Sequence, residues 1–301
     1  MPEAVVGADL EGARFDLALA RVADCSRSHA RRLVDEGEAT LDGVVVAART
    51  KVAAGQVIAH PELEEVTHEP DPNVEVSVLW EDEHAAVIDK PAGLVVHAGA
   101  GRRVSTLAQG LVARWPEMLE VGEPGRWGLV HRLDRDTSGA LLVAKTVEAL
   151  DALQGALRRR EVGREYLALI EGHPGAPTGT IDAPVDRDPV VPTRRRVDPN
   201  GRPARTHYRV KEEFGDGDLT LMDVRLETGR THQIRVHFAA IGHPVVADRV
   251  YRSTTTPSLG LHRTWLHAAR LTFPHPVTGE VREVVSPLPD ELVATLADLR
   301  A

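Results

Sequence analysis

The 301-residue chain has a single cysteine, Cys25. One thiol excludes an intramolecular disulfide and a cysteine-rich zinc site, and it fits a reducing compartment. Long apolar runs are lacking, so no segment qualifies as a membrane span. No basic flank leads into an apolar stretch near the start, so no secretory signal is read there. A cytoplasmic location with no membrane partner is the expectation. Net positive charge is lacking too: 36 Lys and Arg face 45 Asp and Glu, a formal charge of −9. That balance argues against coating nucleic acid by bulk charge, while a localised basic groove stays possible. Internal repeats and low-complexity segments are also absent. The remainder, 42% hydrophobic and 27% charged, is ordinary globular composition, with length for one domain or two.

Charge is unevenly spread. Residues 61–75 hold six acids and no Lys or Arg, whereas residues 12–60 carry seven basic and six acidic residues. An acidic, proline-containing stretch between patterned regions reads as a linker. The predicted organisation is a front domain over 1–62, an acidic linker over 63–75 and a second domain over 76–301. In the front domain Phe15, Leu19 and Val22 have the spacing of one helix face. Ser26 or Ser28 as N-cap and Gly37 as stop predict a second helix over about 27–36, with Arg27 and Arg31 on one side. Asp42-Gly43 predicts a hairpin turn between strands at 39–41 and 44–46, and Gly55–Ile58 closes the unit. The arginines of the second helix make a plausible phosphate-gripping surface. A solvated basic face is the plain alternative.

From residue 76 onward short strands dominate. Val76–Leu79, Ala85–Ile88, Leu141–Ala144, Tyr166–Ile170, Ala204–Lys211, Leu219–Leu226, Trp265–Phe273 and Val281–Val285 read as strands. A helical stretch is expected over 147–160, and Ile234, Phe238 and Ile241 mark another helix after Gly229. Many strands with segregated helices predict an α+β fold.

One run stands out: Val130-His131-Arg132-Leu133-Asp134-Arg135-Asp136-Thr137-Ser138-Gly139. Arginines flank Asp134, and neighbouring positive charge favours the carboxylate anion. Such a group can serve as a nucleophile; on a short isolated motif, an ion pair on a solvated turn would be the better reading. Three further segments carry more polar residues than a core element needs: Asp89–His97, Arg164–Leu169 and Glu227–His237. In the last, an arginine at 235 could reach a carboxylate as a bidentate partner.

These segments together resemble the RluA/RluD-type pseudouridine synthases. The matching text is Lys90-Pro91-Ala92-Gly93, Gly128–Asp134, Thr137-Ser138-Gly139, Tyr166, Gly229–Arg235 and Leu266-His267-Ala268, in the family's order over residues 76 to about 286. Gly12–Asp16, Ser26-Arg27-Ser28, Gly37, Asp42-Gly43, Lys51 and Gly55–Ile58 resemble the S-four-type (alpha-L) RNA-binding module, placed in front as in the RluD-like branch. The resemblance implies a mostly antiparallel mixed sheet flanked by helices and loops. It implies an enzyme, an isomerase that breaks a uridine's glycosidic bond in RNA, rotates the base and rejoins it through carbon. Asp134 would be the catalytic carboxylate, attacking sugar or base or assisting elimination. Tyr166 would stack on the uracil, with its hydroxyl placed to help move the C5 proton, and Arg235 would be the cation paired with Asp134. Substrate contacts are implied for Arg132, which fills the space left by the extruded base, and for His131, Leu266 and Arg230. Arg27 and Arg31 would add contacts from the front module. No metal and no organic cofactor are implied, and a monomer is expected. The implied partner is large-subunit ribosomal RNA or its precursor particle. Arg164 stands where many relatives have lysine. Arg194-Arg195-Arg196 with Arg202 and Arg205 form a basic patch, readable equally as a solvated loop.

Rival readings explain less. His131 and Asp136 satisfy an H-x-x-x-x-D acyltransferase spacing, with His131 as general base, but that motif is short and leaves Asp134 and Arg235 without a role. His232 and His237, like His262 and His267, stand five apart, which does not suit paired metal ligands on a helix face. A non-catalytic RNA-binding protein has no chemical need for the arginine-flanked carboxylate. The same enzyme acting on transfer RNA is the nearest alternative.

Overall fold

Apolar runs with too few polar residues to face water on either side must become central strands. The computed structural model describes residues 1–25, 27–62, 69–97, 105–191, 193–215, 218–251 and 259–301. Contacts divide the chain into two compact units.

The first unit contains β1 (Glu3–Val5), α1 (Phe15–Val22), α2 (Arg27–Asp35), β2 (Thr40–Leu41) and β3 (Val57–Ala59). The strands form an antiparallel sheet in the order β1-β3-β2. Phe15, Leu19, Leu33, Val34 and Ile58 form its core. Ser26, one of two expected N-caps, lies outside the described residues, and Ser28 lies within α2. The expected hairpin is only partly formed. Asp42 and Gly43 take left-handed φ values of 50° and 77°, and Leu41 and Val44 bond each other across the turn. Val44 and Val45 are then exposed, and β2 pairs instead with β3. The reason is burial: Ile58 brings a core side chain to the ladder, whereas Val44 and Val45 face no core.

The second unit is a mixed α+β domain. Its strands are β4 (Val78–Glu81), β5 (Ala85–Lys90), β6 (Ser138–Ala144), β7 (Gly163–Glu171), β8 (Thr178–Asp182), β9 (Val185–Arg187), β10 (Arg195–Val197), β11 (Arg205–Phe214), β12 (Leu219–Leu226), β13 (Leu266–Pro274) and β14 (Val281–Val285). Its helices are α3 (Leu107–Arg114), α4 (Val147–Arg158), α5 (Gln233–Ala240) and α6 (Asp290–Arg300). The main sheet runs β4-β5-β6-β13-β7-β12-β11-β8, with β14 on β13 and a separate β9–β10 pair. Every pairing in it is antiparallel except β6 with β13. Alternation sends Ile88, Leu141, Tyr166, Ala168 and Val224 to the face covered by α3 and α5. Val87, Leu142 and Leu271 face α4 on the other side, and Leu169 and Leu221 face α6.

The short strands β8, β9 and β10 and the helices α3 and α6 come in addition to the predicted elements. Residues 63–68 of the expected linker lie outside the described residues. Its remaining part is tied to α3: the Asp71 amide donates to the Gln109 carbonyl, Ser105 Oγ donates to the Asp71 carboxylate at 2.6 Å, and Gln109 Nε2 donates to the Glu69 carbonyl. Acidic composition alone could not reveal these bonds.

Gly139 explains the small residues of the Thr137-Ser138-Gly139 run. It sits where β6 meets β13, at φ +114°, and a Cβ there would stand 2.3 Å from the Ala268 carbonyl oxygen. Only glycine allows both the conformation and the approach. Gly139→Ala is expected to lower unfolding free energy by about 2–5 kcal/mol, from backbone strain plus overpacking. Urea denaturation reads this directly, and a loss below about 0.5 kcal/mol would contradict it.

Candidate active site

A tight turn places the aspartate of the arginine-rich run. The Thr137 amide donates to the Asp134 carbonyl at 3.2 Å, turning the chain into β6. Lys90, fully buried at the end of β5, braces this turn: its Nζ donates to the carbonyls of Pro91, Leu94 and Arg135 at 2.7, 2.9 and 3.0 Å. Burial, with Arg263 nearby, lowers the Lys90 pKa to about 7. Arg135 itself turns away and pairs with Asp136 at 2.9 Å, so it is not the positive charge that holds Asp134.

That charge comes from helix α5. Arg235 Nη1 donates to Asp134 Oδ2 at 3.1 Å. The guanidinium fork goes elsewhere: Nε and Nη2 donate to the two oxygens of Asp248 at 2.6 and 2.9 Å. Asp248 is wholly buried and also accepts the amides of Val250 and Tyr251. The expected bidentate partner of Arg235 is therefore Asp248, and Asp134 receives a single N–H from Nη1. Asp248 lies outside the motifs that the sequence reading used. The available signal was physical: an arginine buried behind a carboxylate needs a second acceptor, and the Val245-Val246-Ala247-Asp248 run ends in one.

The start of α5 is set by Gln233. Its side-chain Oε1 accepts from Thr228 Oγ1 and the Arg230 amide, and its Nε2 donates to the Arg205 carbonyl and Thr206 Oγ1. These bonds offset the left-handed backbone of His232, at φ 59°. His232 then faces Asp134 at 4.0 Å and contacts the Tyr251 hydroxyl at 2.9 Å, and the Arg235 guanidinium lies 5.2 Å from the Tyr251 ring centre.

Burial of Asp134 opposes its ionisation, but His232, Arg235 and Arg132 outweigh it and hold the carboxyl below its ordinary range. His232 contributes only when protonated, and its own burial lowers its pKa, so at neutral pH the arginines carry the effect. The folded-state pKa is thus depressed. The ion pair contributes stability above the unfolded value of about 3.9 and loses it as pH falls through the lower folded value.

Asp134, Tyr166, Arg235, Leu266, Arg132, His131 and Arg230 all line one cavity of about 510 Å³, within the roughly 300–1,000 Å³ of small-molecule sites. Tyr166 and Leu266 are its apolar walls, both buried. Burial raises the Tyr166 pKa, with Arg164 opposing, so the phenol is neutral. Arg164 lines the same cavity, and its buried Nε has no hydrogen-bond partner among the described residues. Arg132 is exposed and its Nη1 lies 3.2 Å from His97 Nε2. Arg230 Nε donates to the Pro203 carbonyl at 3.0 Å.

His131 has a different occupation. Its Nε2 accepts the Leu142 amide at 3.1 Å, beyond the end of the β6–β13 pairing, and burial lowers its pKa to about 3. It straps the 130–134 segment to β6, and with that nitrogen engaged it cannot act as a general base aided by Asp136. In the front unit, Arg27 bonds Asp16 at 3.2 Å and Arg31 pairs with Asp35 at 2.8 Å, both with exposed side chains. Within the basic patch, Arg196 pairs with Asp198 and Arg205 with Asp182 and Glu227, so only part of its charge is available. Among the described residues no group of three or more His, Cys, Asp or Glu could hold a metal ion. No described helix is long and apolar enough to cross a membrane.

The family model described as RNA pseudouridylate synthase matches residues 84–240, which include Asp134, Tyr166 and Arg235. The chain belongs to this family. The synthase is 42% identical to the ribosomal large subunit pseudouridine synthase D of Nitrosomonas europaea, over 99% of this chain and 88% of that protein. It is 40% identical to an uncharacterized RNA pseudouridine synthase of Mycobacterium bovis, over 97% and 96% of the two chains. Among solved structures, human RNA pseudouridylate synthase domain containing 1 superposes with a TM-score of 0.60 at 29% identity, over 77% of this chain and 98% of the other. The synthase is an isomerase that acts on RNA.

Asp248 is expected to be the structural anchor of this site. Asn at 248 would turn an NH2 group toward a guanidinium N–H and leave the buried cation short of charge. Asp248→Asn should cost about 3–5 kcal/mol of unfolding free energy, the size seen when one partner of a buried pair is removed. Asp134→Asn, which removes one bond at the cavity edge, should cost no more than about 1.5 kcal/mol. Parallel urea titrations compare them, and equal stabilities would refute the ranking.

Proposed function

We propose that this synthase isomerises uridine in large-subunit ribosomal RNA, with Asp134 as its catalytic carboxylate. The supporting observation is Asp134 held ionised by buried Arg235, at the edge of a cavity walled by Tyr166 and Leu266. In the reaction the C1′–N1 bond breaks, the base rotates and a C1′–C5 bond forms. C5 loses its hydrogen and N1 gains one. Atoms and electrons balance, so this reading calls for no metal and no organic cofactor.

Asp134 attacks sugar or base, or assists elimination, and Arg235 keeps it ionised and aimed in each case. Tyr166 stacks on the uracil and brings a neutral phenol near its C5. A base within a helix cannot reach the cavity, so it is extruded, at a cost of a few kcal/mol. Arg132, exposed at the rim, fills the vacated space, and Arg230 and the basic patch hold phosphates. The front unit serves as an S-four-like RNA-binding domain over 1–62, with 76–301 as the catalytic domain. The ribosomal substrate is supported by the names of relatives 40–42% identical over nearly the whole chain. A monomer working in the cytoplasm fits this role.

Tritium release from ribosomal RNA transcribed with uridine labelled at C5 tests the reaction. Wild type should release tritium, while Asp134→Asn should be inactive and still bind RNA. Normal release by the variant would overturn the role of Asp134, and release from transfer RNA alone would change the substrate. The front unit's role has its own readout. The double variant Arg27→Ala/Arg31→Ala should weaken binding and reduce the slope of log K against log salt by about 1–2. An unchanged slope would return α2 to a solvated face.

A further inference from the structure

The segment 130–132 separates two cavities. Beyond it from Asp134 lies a second one of about 450 Å³, large enough for a nucleobase and unused by the reaction described above. His131 and Arg132 line both cavities, so the two lie back to back across one stretch of backbone.

Its lining has the chemistry of a base pocket. Leu129 and Leu150 supply apolar wall. Gln154 projects from α4 with its amide nitrogen only loosely engaged, 3.5 Å from the Leu129 carbonyl. Its amide oxygen has no hydrogen-bond partner among the described residues. An amide with a spare acceptor and a weakly held donor can read the edge of an unstacked base. Arg126 stands at the exposed rim and makes no ion pair among the described residues, and Arg132 stands beside it. Two guanidinium groups against the single carboxylate of Glu123 leave the cavity net positive, as a phosphate-flanked ligand requires. His97 fixes the partition: burial, with Arg132 and Arg126 nearby, lowers its pKa to about 4, so its Nε2 remains an acceptor for Arg132 at neutral pH.

We propose that this cavity is a nucleotide subsite that receives the base adjacent to the uridine being isomerised. The inference rests on the reading of the first cavity as the uridine site, because a chain passing over Arg132 would lead from one cavity to the other. Extrusion of two neighbouring bases makes the local RNA sequence, through Gln154, part of what selects the target.

The test uses short RNAs built around the mapped target uridine, labelled at C5, with an abasic nucleotide on its 5′ or 3′ side. On wild type, one of the two abasic RNAs should raise KM about tenfold with kcat preserved, the size of one lost base contact. Gln154→Trp, which fills the cavity, should show that raised KM on the intact RNA and no further loss on the abasic one. Arg126→Ala, an exposed position whose replacement leaves the fold intact, should raise KM on the intact RNA in the same direction. Wild-type KM in both variants, or losses that multiply between Gln154→Trp and the abasic RNA, would overturn the subsite and leave the uridine site standing. Absence of tritium release by wild type would overturn the reaction reading and the subsite with it.

Discussion

One guanidinium organises this molecule's chemistry. Arg235 is nearly buried, and a buried cation survives only if its hydrogens find acceptors. Asp248 takes two of them in fork geometry, and Asp134 takes another. Asp134, itself largely buried, can therefore stay ionised at little cost, because its counter-charge has already been desolvated and fixed. Much of the surrounding structure serves that geometry. Gln233 sets the first turn of α5, Lys90 braces the turn that follows Asp134, and His131 straps the preceding segment to β6. Each brace ends on backbone, so the carboxylate's position depends on the sheet rather than on a flexible loop.

Two further arginines show how the same residue type divides its work. Arg135 is adjacent to Asp134 in sequence but pairs with its other neighbour, Asp136. Arg235, 101 positions away, makes the contact. Side chains next to each other along a turn point in different directions, so proximity in sequence is weak evidence of contact. Arg164 shares a face of β7 with Tyr166 because residues two apart on a strand do so. That places a buried positive charge beside the ring that walls the cavity.

The fold was legible where burial is two-sided. Leu141–Ala144 read as a strand from its unbroken apolar run and Leu219–Leu226 from its alternation, and β6, β7, β12 and β13 contain most of the residues read as strands at 141–144, 166–170, 219–226 and 265–273. It was not legible where elements are short and polar. β8, β9 and β10 carry residues such as Thr178, Asp186 and Arg196 that would suit any exposed loop. Helix α6 buries only Leu292, Thr295 and Leu296, a thin stripe in a polar segment, and α3 announces itself mainly through its Thr106–Gln109 capping box. At the site, the motif residues converge on one cavity, as their chemistry demanded. Asp248 went unseen because its task is to hold another side chain, and such a residue leaves no pattern beyond an acid at the end of an apolar run. His131 lines that cavity as expected and also accepts the Leu142 amide, a bond to backbone that no motif announces.

The order of strands has a consequence for how the protein comes into being. β6 and β7 follow one another in the chain, yet they do not pair; β13, which begins only at Leu266, lies between them. During synthesis the two early strands must wait with open edges until the late one emerges. Asp134 and Tyr166 sit on opposite banks of that gap, and Leu266 arrives with the strand that fills it. The cavity between them is thus completed only once β13 is in place. Long-range strand insertion of this kind is slow compared with local folding. A nascent chain released before β13 is inserted would carry the whole motif sequence through Arg235 and still lack the Leu266 wall of the cavity.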